Sequence, residues 1–92
     1  ENAGPNFLVR ELDKGIVLWK ENKEIVKSMN SIENLPAELL EKNKKLMKYC
    51  DLRISYNEIL SKAISEDTDM YVTEIDSLGM GINKILEELN KY

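Results

Sequence analysis

The sequence contains no histidine and only one cysteine, Cys50, so the side chains most often used for catalysis and for metal binding are nearly missing. Without histidine, a serine or cysteine nucleophile lacks its usual base, and the common imidazole ligand for a metal is absent. A lone cysteine cannot form an internal disulfide, and we interpret Cys50 as a small core side chain. The sequence therefore predicts a protein that is not an enzyme and that has no cofactor.

The sequence also lacks long apolar runs and any large excess of positive charge. Its longest wholly apolar run, residues 16–19, is far shorter than the roughly 20 residues needed to cross a bilayer. The net charge of -4 disfavours binding to phosphate backbones or anionic lipids, which both require a concentrated positive surface. We therefore expect no nucleic-acid partner and no direct membrane insertion by this segment.

Carboxylates cluster at residues 66–69, but the cluster lacks the features of a metal site. A calcium loop needs ligands at alternating positions, a central glycine and a distal glutamate, which this stretch does not have. Acidic side chains are favoured where a helix begins, and we interpret the cluster as helix capping. No metal-binding residue is predicted.

The composition is that of one small folded domain. The chain has 92 residues, of which 42% are hydrophobic and 33% charged, enough apolar surface for a single core. We expect residues 1–6 to form a flexible lead-in and residues 7–92 to form a single helical domain. The chain begins with Glu1 rather than methionine, which favours an excised fragment or a processed protein.

The last third of the chain carries the clearest periodicity. Apolar residues recur at alternating steps of four and three, a spacing that places them on one side of a helix. Two more, Val72 and Leu86, widen that row into the face of a bundle helix, which must pack against the preceding segments. The row consists of Tyr71, Ile75, Leu78, Ile82, Ile85, Leu89 and Tyr92.

Two further helical segments each carry two apolar stripes, which predicts that each helix touches two neighbours. Trp19 is expected to be a central packing residue, and Gly15 is explained by a close approach of helices or by room for the Trp19 ring. In the first segment the stripes are Leu12, Ile16, Trp19, Val26 and Leu18, Ile25, Met29, Ile32. In the second they are Leu39, Leu46, Cys50, Leu60, Ile64 and Tyr49, Leu52, Tyr56, Ile59, Ala63.

Two breaks divide the pattern into three helices. Residues 30–36 contain asparagines that favour a helix end and Pro36, which suits a first helical turn, while residues 65–69 contain good capping residues. We predict an all-α fold, an antiparallel three-helix bundle with helices at 7–29, 36–64 and 68–91. Because residues 65–69 contain no glycine or proline, a helical hairpin with one long helix, which would have to dimerise, remains the alternative.

Polar residues interrupt the first stripe of the second helix at Asn43, Arg53 and Asn57. If Arg53 points inward it needs a carboxylate such as Glu24 or Glu74, because arginine does not lose its charge. The favoured interpretation is that all three residues lie at the edge of the stripe with their polar ends in water. As a functional hypothesis, they form either a buried network that sets helix register or one wall of a groove for a partner.

Several short segments of the sequence resemble those of a known family. Residues 15–22, the Leu35-Pro36 turn, residues 49–54 and residues 62–69 are similar to the soluble helical tail that follows the membrane domain of some bacterial rhomboid-type intramembrane serine proteases. The family's Gly-x-Ser-Gly motif and its membrane histidine are not present, so no active-site residue carries over. The resemblance implies a non-catalytic appendage in a soluble compartment next to a membrane, such as the cytoplasmic side.

The expected function is that of a non-enzymatic accessory or protein-interaction domain, part of a larger and possibly membrane-anchored protein. The alternative is a self-associating coiled-coil element in which the last two helices continue as one. A protein partner or a second copy is thus the expected ligand.

Overall fold

A computed structural model describes residues 5–91, and three helices make up most of that range. The helices are α1 (Pro5–Asn30), α2 (Ala37–Glu66) and α3 (Val72–Leu89), and residues 5–91 contain no strand. The all-α, three-helix prediction is confirmed. Helix α1 begins at Pro5, two residues earlier than predicted, so Asn6 lies inside it, whereas residues 1–4 of the predicted lead-in and Tyr92 lie outside the described residues.

The first turn follows the sequence signals closely. Asn34 adopts a left-handed backbone with φ of 62°, a conformation that asparagine tolerates better than most residues. Pro36 then holds an extended ψ of 147° immediately before α2, and Glu38 lies in the first turn of the new helix. The chain therefore reverses within residues 31–36, and α2 runs antiparallel to α1.

The second turn is built around Asp67, which takes the left-handed conformation with φ of 49°. The Asp67 N–H donates to the Ile64 carbonyl and the Thr68 N–H donates to the Ala63 carbonyl, the pair of bonds that defines a Schellman motif. The Thr68 hydroxyl accepts from the Met70 N–H, and α3 begins only at Val72. The alternative of one continuous helix is wrong, as is the expectation that a residue of this cluster caps α3.

Both outer helices pack on α2, but they do not pack on each other. No Cα atom of α1 lies within 8 Å of a Cα atom of α3. Three helices in a closed triangle would span roughly 14 Å in both transverse directions, given interaxial distances of about 9 Å. The Cα atoms instead occupy 50 × 24 × 16 Å, so the expectation that every helix touches two others holds only for α2.

The core follows the two faces of α2. Cys50, Asn43 and Asn57 are buried along the face that meets α1, together with Val26 of α1. Along the face that meets α3, the C-terminal row is buried at Tyr71, Ile82 and Ile85 and half-buried at Ile75, Leu78 and Leu89. The first predicted stripe of α2 therefore faces α1 at Cys50, and the second faces α3 at Leu52 and Tyr56, although Tyr49 of the second stripe contacts Trp19 of α1.

Candidate interaction surface

One apolar stripe, which begins in α1 and ends in the turn after it, packs against no other helix among residues 5–91. Leu18 and Ile25 are each 59% exposed, and Met29 and Ile32 are also exposed. These four residues, hereafter the α1 stripe, were expected to pack against a second helix. They form the largest departure from that expectation, because α3 lies too far away to cover them.

The α1 stripe lies on the edge of α1 opposite Lys23. Lys23 Nζ lies 2.6 Å from Asp51 Oδ1, and Asp51 is seven residues before Glu58, which lines a pocket with Thr73 of α3. This edge of α1 therefore lies along the flank of α2 that carries that pocket. At about 100° per residue, Ile25 and Leu18 project roughly 160° and 140° from Lys23 around α1, so the stripe lies along the other flank.

A row of half-buried α2 side chains lies between the outer helices. Leu46, Arg53 and Leu60 are seven residues apart and therefore share one face of α2. On one side of this row Asn57 lies under Gly15 of α1, and on the other side Leu52 and Tyr56 lie under the glycines of α3. The row thus forms the floor of a channel flanked by α1 and α3.

The second edge of the channel comes from α3. Val72 and Leu86 are exposed, and the helical spacing places them on the edge of α3 opposite Ser77. Ser77 lines a different, outer groove of about 570 Å³ with Ile59 and Thr73. We call the channel bounded by the α1 stripe, the Leu46–Arg53–Leu60 row and the Val72 and Leu86 edge the open groove.

Arg53 is the only charged residue of that floor row. Its guanidinium carbon lies 5.3 Å from the centroid of the Trp19 ring, and the Trp19 ring meets Tyr49 edge to face with centroids 5.3 Å apart. Its Nε atom is buried and has no hydrogen-bond partner. Within residues 5–91 no carboxylate forms an ion pair with it: Glu24 pairs with Lys27, and Glu74 lines the outer groove.

The two asparagines of the predicted polar track are not at the edge. Asn43 is 3% exposed and Asn57 is 8% exposed, so the expectation that their polar ends lie in water is wrong. Asn43 Nδ2 donates to Asn30 Oδ1 at 2.9 Å, and Asn57 Nδ2 lies 3.5 Å from the Leu12 carbonyl oxygen. Each asparagine makes its own bond to α1, and the three residues do not form one network.

Gly15 explains how Asn57 fits. A Cβ atom at position 15 would lie 2.6 Å from Asn57 Nδ2, closer than real Cβ contacts allow. The glycine therefore gives the amide its space beneath α1, which is the close approach that its position in the stripe suggested. By contrast, Cβ atoms at Gly79 and Gly81 would make ordinary contacts of 3.8 Å and 3.6 Å.

The titratable groups near the α1–α2 contact are a buried thiol and an ion pair that joins the two helices. Burial raises the pKa of the Cys50 thiol, which keeps it protonated at neutral pH. The hydrogen bond from Lys23 to Asp51 raises the pKa of the lysine. Neither shift produces a reactive group at neutral pH, since a protonated thiol and a charged lysine are poor nucleophiles.

Within residues 5–91, no group of three or more histidine, cysteine, aspartate or glutamate side chains is arranged to hold a metal ion. None of the three described helices is long and apolar enough to cross a membrane.

Comparison of the chain with protein-family models, with curated proteins and with solved structures finds no match.

Proposed function

We propose that the chain is a non-enzymatic helical accessory domain whose open groove binds a protein. The observation that carries this proposal is the α1 stripe, where Leu18 and Ile25, two turns apart on one helix face, are both exposed although their spacing is that of a buried face. Exposed apolar surface on one face of a helix is typical of interaction sites in folded proteins.

The amount of exposed surface supports the same proposal. The chain exposes 6565 Å², whereas a compact monomer of its mass would expose about 5,500 Å². The difference is comparable to the roughly 800 Å² that each partner buries in a standard protein–protein interface. A helix seated in the open groove would cover both exposed edges at once.

Site-specific photocrosslinking in cells of the source organism tests this function. A photoreactive amino acid at Ile25, within the α1 stripe, is expected to yield a discrete crosslinked protein. The matched control is Lys20, which is also exposed but lies about 140° from Ile25 around α1. Equal crosslinking at both positions, or none at Ile25, would contradict the proposal.

We further propose that this domain belongs to a larger, membrane-anchored protein and lies in a soluble compartment beside the membrane. Its support is the resemblance of residues 15–22, 49–54 and 62–69 to the tail of rhomboid-type proteases. Reading the coding sequence upstream of Glu1 tests this, since several apolar segments of about 20 residues are expected there. An upstream sequence without such segments would overturn it.

A further inference from the structure

The floor of the open groove contains a charge that the described chain does not neutralise. Arg53 carries a guanidinium whose Nε atom is buried without a hydrogen-bond partner among residues 5–91. Its one close polar interaction is with the Trp19 ring, which leaves the guanidinium N–H groups without a carboxylate among residues 5–91.

A wholly apolar partner would fit this groove poorly. Such a partner would remove the remaining water from Arg53 and leave a buried charge unpaired, which is strongly unfavourable. A carboxylate placed against the guanidinium would instead form a charge-assisted, bidentate pair. Charge complementarity therefore specifies the chemistry of the occupant as well as its apolar character.

The dimensions of the groove favour a helix as the element that carries the carboxylate. From Leu46 to Leu60 the floor is roughly 21 Å long, about four turns of helix, and Arg53 lies at its midpoint. Because α1 and α3 both run antiparallel to α2 and leave the Leu46–Arg53–Leu60 row uncovered, an added helix would lie along that row.

We propose that the open groove binds an amphipathic helix of a partner protein that places one aspartate or glutamate, near the middle of an otherwise apolar face, against Arg53. This inference rests on the proposed function and specifies its partner. The carboxylate gives specificity, whereas Leu18, Ile25, Val72 and Leu86 supply the apolar contacts.

Selection from a displayed library of 18-residue helical peptides tests the inference. In each peptide, the positions of one helix face are randomised among leucine, isoleucine, aspartate, glutamate, asparagine and glutamine. The immobilised targets are the full chain, its Arg53→Met variant and its Leu18→Ser/Ile25→Ser variant. On the unmodified chain an acidic residue at one central position should be enriched at least about tenfold over its amide. On Arg53→Met, which keeps an unbranched apolar stem but removes the guanidinium and its charge, that enrichment should vanish.

Single peptides then give the magnitude. A selected peptide and its Glu→Gln counterpart should differ roughly 30-fold in Kd on the unmodified chain, since breaking a buried charge pair costs at least about 2 kcal/mol. The two should bind Arg53→Met with similar Kd values. Circular dichroism melting of each variant checks that it remains folded.

The outcomes separate this inference from the function on which it rests. Selection of apolar faces without acidic enrichment, or acidic enrichment retained on Arg53→Met, would overturn the role of Arg53 but leave an interaction domain. If no peptide is enriched on the unmodified chain, both proposals fall. If sedimentation shows a dimer that Leu18→Ser/Ile25→Ser dissociates, the occupant is a second copy, and the proposed partner helix is wrong.

Discussion

Replacing Gly15 with alanine should destabilise the protein, although the same change in an ordinary helix is favourable. Alanine is about 1 kcal/mol better than glycine in a helix interior. Here the new Cβ would lie 2.6 Å from Asn57 Nδ2, and Asn57 is buried, so its amide must move and lose its contact with the Leu12 carbonyl. Overpacking costs about 1–3 kcal/mol and an unpaired buried amide costs a similar amount.

The expected net effect is a loss of about 2 kcal/mol in the free energy of unfolding, which for a domain of this size lowers Tm by roughly 10 °C. Urea denaturation followed by Trp19 fluorescence measures it. In an Asn57→Ala background the obstacle is gone, and Gly15→Ala should then stabilise by about 1 kcal/mol. The matched control is Gly79→Ala, whose Cβ would lie 3.8 Å from Tyr56 and which should stabilise by about 1 kcal/mol.

The reversal of sign is the decisive feature. If Gly15→Ala changes stability equally with and without Asn57, the clash is not what glycine avoids. If it stabilises the protein as much as Gly79→Ala does, the account of the α1–α2 contact is wrong.

The remaining predictions concern the groove, the second turn and the buried thiol. In urea denaturation, Ile25→Ser should change the free energy of unfolding by less than about 0.5 kcal/mol because Ile25 is exposed, whereas Ile82→Ala should lower it by about 2–4 kcal/mol because Ile82 is buried. A similar cost for both variants would mean that the α1 stripe is covered. Arg53→Met should change the free energy of unfolding by less than about 1 kcal/mol, since the lost contact with the Trp19 ring is offset by removal of the unpaired buried Nε. A loss of several kcal/mol would show that Arg53 has a stabilising polar partner within the domain. Asp67→Gly should stabilise the protein by about 0.5–1 kcal/mol and raise Tm by several degrees, because glycine adopts the left-handed conformation without strain. A lower Tm would contradict the turn geometry. Because burial raises the pKa of Cys50, the thiol of the unfolded chain ionises at lower pH than the thiol of the folded chain, so the free energy of unfolding should fall as pH rises past about 9, below the range in which lysines titrate. In denaturant titrations from pH 7 to 10 the variant Cys50→Ala should lack this fall. A variant with the same pH profile as the unmodified protein would refute the prediction.

The helices and their faces were predictable because they depend on local spacing. The Tyr71, Ile82 and Ile85 row indicated α3, and the two stripes of α2 indicated two neighbours. Asp67 ends α2 without the glycine that usually signals such a turn, so the acidic cluster located the break but suggested the wrong role for its residues.

The open groove was not predictable in the same way. Periodicity identifies an apolar stripe on α1 but not whether another helix reaches it, and that depends on the angle between the outer helices around α2. The burial of Asn57 was missed because it depends on Gly15, 42 positions earlier in the chain, and no local pattern links a residue of α2 to a distant glycine of α1.

The central claim is that α1 and α3 pack on α2 and not on each other, so the α1 stripe lies in solvent. Nuclear Overhauser contacts between methyl groups of the monomeric protein test it most directly. The account predicts contacts of Val26 with α2 and of Ile82 with α2, and none from Leu18 or Ile25 to Val72 or Leu86. Contacts from the α1 stripe to either α3 residue would show that the groove is closed and would contradict the account.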